Sequence, residues 1–261
     1  NKGDDQPFFA YVPFQAVHIP VQAPQESIDR YIGVYDKGWT DRRAERLARA
    51  IELGIVPADS AMVTMASSAD WEALSPERQA YEAKRMAVYG AMVEAMDHHI
   101  GRLVEHLKAI GEYDNTVFIF SSDNGAEAMG EPVQNSWTNS WALASQGYSA
   151  DYETLGLKGS FNAINPGFAS AAASPLAYYK FYVGEGGLRV PMIIAGGPVA
   201  IKNQFSNASV YVTDITPTIL ALTGVEAPET RNGGWYGGRK VEPMIGRSLM
   251  PVIEGNAETV Y

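Results

Sequence analysis

Thr116-Val117-Phe118-Ile119-Phe120-Ser121-Ser122-Asp123-Asn124-Gly125 is the stretch on which the reading of the fold turns. Its first five residues are mostly β-branched or aromatic, the composition of a buried strand. Two small hydroxyl residues follow, then Asp123 and Asn124, then a glycine that lets the backbone turn sharply. An open α/β fold binds its ligands at the carboxyl ends of its strands, and hard oxygen donors placed there suit a cation. The same tripeptide is a common turn signal, so the chemistry has to be argued from the rest of the chain.

Working outward, the segment before this strand reads as a long helix. Ser75 can cap it, Pro76 suits its first turn, Glu77 complements its dipole, and Gly111 ends it. Tyr89, Met92, Val93, Met96, Ile100, Leu103, Val104 and Leu107 recur near helical spacing, a face that would pack across a sheet. Upstream, residues 8–12 read as a buried strand, followed by a Pro-rich loop from Pro13 to Pro24 and a charged helix near Asp41–Gly54. Downstream, residues 125–187 show no sustained periodicity and are rich in Gly, Ser, Asn and aromatics, Trp137 and Trp141 among them. A stretch of that length without regular structure reads as functional loops, here an active-site loop region. Strands at Val190–Ala195 and Ser209–Val212 and a helix over Asp214–Leu222, capped by Asp214 and closed at Gly224, complete the regular elements. Residues 225–248 form a Gly/Pro-rich loop. The alternation predicts an α/β fold, a mostly parallel sheet sandwiched by helices.

The chain has 261 residues with 46% hydrophobic and 19% charged residues, ordinary for a globular protein. Its net charge of −10 argues against nucleic acid or an anionic membrane as partner. No apolar run is long enough to span a bilayer, and no cysteine is present to form a disulfide, a thiolate metal site or a nucleophile. The chain begins Asn1-Lys2-Gly3, without Met or lead-in residues, and reads as a segment cut from a longer protein.

Three separated patches each hold one conspicuous polar group among small residues. They are His18 in Phe14-Gln15-Ala16-Val17-His18-Ile19-Pro20, the Asp123-Asn124 pair, and Lys180 followed by Gly184-Glu185-Gly186-Gly187-Leu188-Arg189-Val190-Pro191. Each has an ordinary reading: a packing histidine, a turn, a solvated lysine. Arg189 is expected to pair with a carboxylate such as Glu185.

Together, with Val212-Thr213-Asp214-Ile215-Thr216-Pro217-Thr218 and the helix stretch Met96-Asp97 with Ile100-Gly101-Arg102-Leu103, these patches resemble the sulfatase family of the alkaline-phosphatase-like superfamily. Its bacterial arylsulfatase branch is the nearest likeness. The resemblance covers nearly the whole chain in order. It implies that Asp123 and Asn124 give oxygen ligands to a calcium ion, and that His18 and Lys180 contact a small-molecule sulfate ester near its bridging oxygen. Asp97, Asp214 and Arg189 are read as structural.

The family's formylglycine nucleophile arises from Cys or Ser in a C/S-x-P-x-R motif. Ser75-Pro76-Glu77-Arg78 and Ser174-Pro175 have the wrong spacing for it, and Asp4-Asp5 precede a strand rather than end one. The chain is therefore expected to be an incomplete catalytic domain, with the formylglycine upstream and a small carboxyl-terminal subdomain lacking, and inactive by itself. A phosphonate or phosphate ester hydrolase of the same superfamily and a non-catalytic scaffold are the alternatives. A periplasmic or secreted location is implied by the family alone.

Overall fold

The computed structural model describes residues 7–63, 70–129, 145–200, 203–227 and 234–261; Asp4, Asp5, Trp137 and Trp141 lie outside these. The chain divides into two compact units, Asn1–Gly111 with Ser121–Met192, and Glu112–Phe120 with Ile193–Tyr261.

The first unit is built on helices. α1 (Gln25–Tyr31) packs on α3 (Pro76–Ile110), and α2 (Gly38–Glu52) packs on α4 (Pro166–Ala173). The sequence signals at both ends of α3 hold. Ser75 Oγ accepts from the Arg78 N–H, Pro76 occupies the first turn, and Gly111 takes the left-handed conformation at φ 80°. The buried part of α3 lies nearer its amino end than the heptad-like pattern suggests. Ala83, Met86, Ala87, Val88 and Ala91 are buried, whereas Val93 and Leu103 are exposed. What packs there is helix and aromatic cluster rather than a broad sheet.

Two apolar clusters hold this unit. One joins Trp39, Trp71 and Phe168 in edge-to-face contacts, ring centroids 4.8–5.8 Å apart, with Ile164 and Tyr179. The other joins Val21, Ile28, Val88 and Ala91. Glu82, fully buried, is neutralised by Arg78 at 2.7 Å and Arg85 at 3.1 Å. α4 falls inside the region expected to be loop. Its residues, Pro-Gly-Phe-Ala-Ser-Ala-Ala-Ala, are buried on most sides and so show little polar contrast, but Asn165 Oδ1 caps it by accepting from the Phe168 N–H at 2.8 Å.

The second unit carries β1 (Val117–Ser121), whose last residue belongs to the first unit. β1 pairs with β2 (Met192–Gly196) in a two-stranded sheet. α5 (Glu185–Leu188), which belongs to the first unit, precedes β2; in the second unit α6 (Ile215–Thr223) ends at Gly224 in the left-handed conformation. A short hairpin, β3 (Trp235–Tyr236) against β4 (Arg239–Lys240), and α7 (Met250–Ile253) follow. The α/β character holds, with the sheet among the described residues small.

Two predicted strands are absent. Residues 8–12 are irregular and exposed, Phe9 and Tyr11 most of all, because a strand needs a hydrogen-bonded neighbour that composition cannot supply. Residues 209–211 are irregular, and Val212–Asp214 close a 3₁₀ turn instead. Asp214 does not cap α6. Its backbone is already helical, and its carboxylate turns back to accept from the Tyr211 N–H at 2.8 Å. No helix among the described residues is long and apolar enough to cross a membrane.

Candidate active site

The site lies within the first unit and is assembled by backbone before side chains enter. Past β1, the Gly125 N–H donates to Gly187 O at 3.1 Å, and the Lys180 N–H donates to Ala126 O at 2.9 Å. These two bonds lace the Asp123–Gly125 turn to the segment that carries Lys180 and α5. Such close approach requires glycine: a Cβ added to Gly125 would land on the Gly186 carbonyl oxygen, and one added to Gly186 would land on that of Tyr178. The expected Arg189–Glu185 pair forms, at 2.7 Å.

His18 arrives on a separate loop. Its N–H donates to Gln15 O at 2.7 Å. Just beyond, the chain is stapled to residues 156–162: Val21 is buried with its N–H on Asn162 O at 2.8 Å, and Gln22 Nε2 donates to Ser160 O at 2.7 Å.

Both basic side chains end on a residue that the sequence reading did not single out. Lys180 Nζ lies 2.6 Å from Glu127 Oε2, and His18 Nε2 lies 3.4 Å from the same oxygen. The Glu127 side chain is 11% exposed and that of Lys180 22%, so the pair is partly withdrawn from water and weakly screened. His18 Nδ1 is 2.9 Å from Ile19 O. Both ring nitrogens therefore face oxygen atoms. Ala126, Ala128 and Tyr179 pack in the Trp39–Phe168 cluster, so the residues flanking Glu127 and Lys180 are rooted in one aromatic core.

Lys180 is also held by its neighbours in sequence. Tyr178 at φ 66° and Phe181 at φ 80° are non-glycine residues in the left-handed region, a conformation that costs energy and persists where packing enforces it. Tyr178 and Tyr182 stack with centroids 4.9 Å apart, Tyr179 meets Tyr182 edge-on at 5.2 Å, and Lys180 Nζ lies 5.5 Å from the Phe181 ring centroid.

His18 and Lys180, far apart in sequence, thus meet at Glu127, two residues beyond the Asp123–Gly125 turn. Asp123 is exposed and Asn124 half-buried, with the Ser122 hydroxyl donating to Asn124 O at 2.8 Å. A Sulfatase family model matches residues 1–225. The chain belongs to the sulfatase family.

Over 249 residues it is 34% identical to an arylsulfatase of Klebsiella aerogenes, covering 95% of this chain and 52% of that one. Over 230 residues it is 40% identical to an uncharacterised sulfatase of Schizosaccharomyces pombe, covering 87% of this chain and 41% of that one. The chain thus spans about half the length of the curated relatives it matches. The structure of a phosphonate monoester hydrolase from Silicibacter pomeroyi superposes with a TM-score of 0.40 at 20% identity, over 92% of this chain and 32% of that one, too loosely to carry an argument.

For a sulfatase, the donor set at Asp123 and Asn124 can be tested against a metal by its chemistry. A carboxylate and a side-chain amide oxygen are hard donors of the kind calcium takes, and they fit. They are too few for its usual six to eight ligands. Among the described residues no group of three or more His, Asp or Glu side chains is placed to hold a metal. Any further ligands would come from elsewhere.

Proposed function

We propose that this chain is part of a hydrolase of small-molecule sulfate esters, aryl sulfates foremost, and that it supplies the side of the site facing the departing alcohol. One observation carries the reading: Lys180 and His18 converge on a single carboxylate beside the turn bearing Asp123 and Asn124, in a chain of the sulfatase family.

Hydrolysis breaks the bond between sulfur and the bridging oxygen. The electron pair stays on that oxygen, which must gain a proton, and water supplies the new hydroxyl of hydrogen sulfate. The Lys180 ammonium is suited to stabilise charge on the bridging oxygen, and His18 to hand it the proton as general acid. Asp123 and Asn124 would hold a calcium ion, whose contribution there is to screen and orient a sulfate oxygen. The attacking oxygen would come from a formylglycine outside residues 1–261, so this chain alone is inactive.

The test uses the full-length protein with calcium on matched aryl sulfate, phosphonate and phosphate esters. Sulfate turnover should dominate. Lys180→Ala and His18→Ala should each lower kcat/KM by about 10²–10³-fold. Asp123→Ala should abolish the response to added calcium. Unchanged turnover in both the Lys180 and His18 variants would refute the assignment. Preference for phosphonate or phosphate would move the protein to another ester class, and robust turnover by the isolated chain would refute the external nucleophile.

A further inference from the structure

We propose that Glu127 is the positioning residue of this site, the shared anchor that fixes Lys180 and His18 against one bridging oxygen; the proposal rests on the sulfatase reading above. Nothing in the local sequence marks Glu127. The geometry does. One oxygen, Oε2, is 2.6 Å from Lys180 Nζ and 3.4 Å from His18 Nε2, so the two donors are gathered within the combined reach of those contacts.

A long lysine side chain has several rotatable bonds, and its freedom is costly to remove at the moment of reaction. Here that cost is met during folding. Lys180 is held at its main chain by the bond to Ala126 O, flanked by left-handed Tyr178 and Phe181, and held at its tip by Glu127. The carboxylate is itself fixed, because Ala126 and Ala128 on either side of it pack in the aromatic core. His18 is the more exposed partner, its side chain at 57%, and meets this group of residues at Glu127.

The residue acts through its partners, so it predicts a pattern and not simply a loss. Donors to a leaving oxygen matter most when the departing alcohol is a poor leaving group. In full-length Glu127→Gln, kcat/KM should fall by about threefold for a nitrophenyl sulfate and by about 10²-fold for a phenyl or alkyl sulfate. In a Lys180→Ala/His18→Ala background, adding Glu127→Gln should cause no further loss, since Glu127 acts through those two residues. A second measurement needs no turnover. Amine acylation at Lys180, read by mass spectrometry on the folded full-length protein, should rise about tenfold in Glu127→Gln, where the charge-assisted contact is weakened.

A uniform loss across leaving groups, a further loss from Glu127→Gln in the Lys180→Ala/His18→Ala background, or unchanged Lys180 labelling would each overturn the proposal. Should Glu127→Gln not yield folded protein, Glu127→Asp withdraws the carboxylate by one methylene and gives the same readings. A wild-type protein that hydrolyses no sulfate ester would defeat the functional reading, while the labelling still decides whether Glu127 anchors Lys180.

Discussion

Asp214 offers a prediction in which both a magnitude and a pH dependence can be worked from the structure. Its carboxylate is fully covered and accepts three hydrogen bonds: from the Tyr211 N–H at 2.8 Å, the Arg247 N–H at 2.8 Å and the Tyr261 hydroxyl at 2.6 Å. Its carbonyl accepts from Thr218 Oγ1, which in turn accepts from the Leu249 N–H. One residue therefore ties the start of α6 to the segment leading into α7 and to the final residue. Replacement by Asn removes the charge and turns an amide N–H₂ toward a donor. A hydrogen bond to a charged group contributes about 1.5–3 kcal/mol, and a buried donor left unpaired costs about 1–3 kcal/mol. The cover over Asp214 is shallow, with Tyr261 itself 45% exposed and able to rebond to water, so the sum is discounted. Asp214→Asn should cost about 2–4 kcal/mol at pH 7.

Burial alone would push the Asp214 carboxyl up. The hydrogen bonds from Tyr261, Tyr211 and Arg247 and the nearby Arg247 charge outweigh it and hold the carboxyl below its ordinary value. A folded value below the unfolded one, about 3.9, means the stabilisation is complete above that pH and is lost as pH falls through the folded value. Native-state hydrogen exchange is the suitable assay, because it reads local opening without requiring the whole protein to unfold in one step. Protection at the Thr218, Arg247 and Leu249 amides should fall by roughly 30–700-fold in Asp214→Asn at pH 7, with the gap to wild type closing below about pH 4. A loss under about 0.5 kcal/mol, or a gap constant from pH 7 to pH 3, would refute this account of the Asp214 contacts.

Gly125→Ala should push the Asp123–Gly125 turn away from Gly186 and break the bond to Gly187 O, lowering full-length turnover by about tenfold or more and costing about 1–3 kcal/mol by urea titration. Gly167→Ala discriminates packing from propensity. Within α4, alanine is the better helix former by about 1 kcal/mol, yet its Cβ would enter the Trp39 ring, so a net loss of about 1–3 kcal/mol in thermal unfolding is expected and a gain would refute the packing argument.

Elements whose signals are local were legible before the structure. The caps of α3 at Ser75, Pro76 and Gly111 are short-range, as are the β-branched run of β1 and the Arg189–Glu185 spacing across α5. Elements that depend on a distant neighbour were not. Residues 8–12 have strand composition but no pairing, and the carboxyl half of α3 has an apolar pattern with only Leu107 buried. α4 was passed over although Asn165-Pro166 is a recognisable start signal, because small buried residues carry no periodic contrast, and α1 because its seven residues are too few to show a helical period.

The site was legible in the same unequal way. His18 and Lys180 stood out by chemical type, and Glu127 did not, since acidic residues are common in this chain and the role of this one is set by position alone. That position follows from backbone geometry. The bonds from Gly125 to Gly187 and from Lys180 to Ala126 fix the register of two chain segments, and that register brings Glu127 against the Lys180 side chain. The register exists because Gly125 and Gly186 lack Cβ atoms where carbonyl oxygens approach. The convergence of charges is thus a consequence of glycine placement, and Gly125→Ala should disturb the Lys180–Glu127 pair even though it alters no charged group. Acylation of Lys180 in that variant would show it: labelling equal to wild type would mean the ion pair holds the loops together by itself, and the causal order argued here would be reversed.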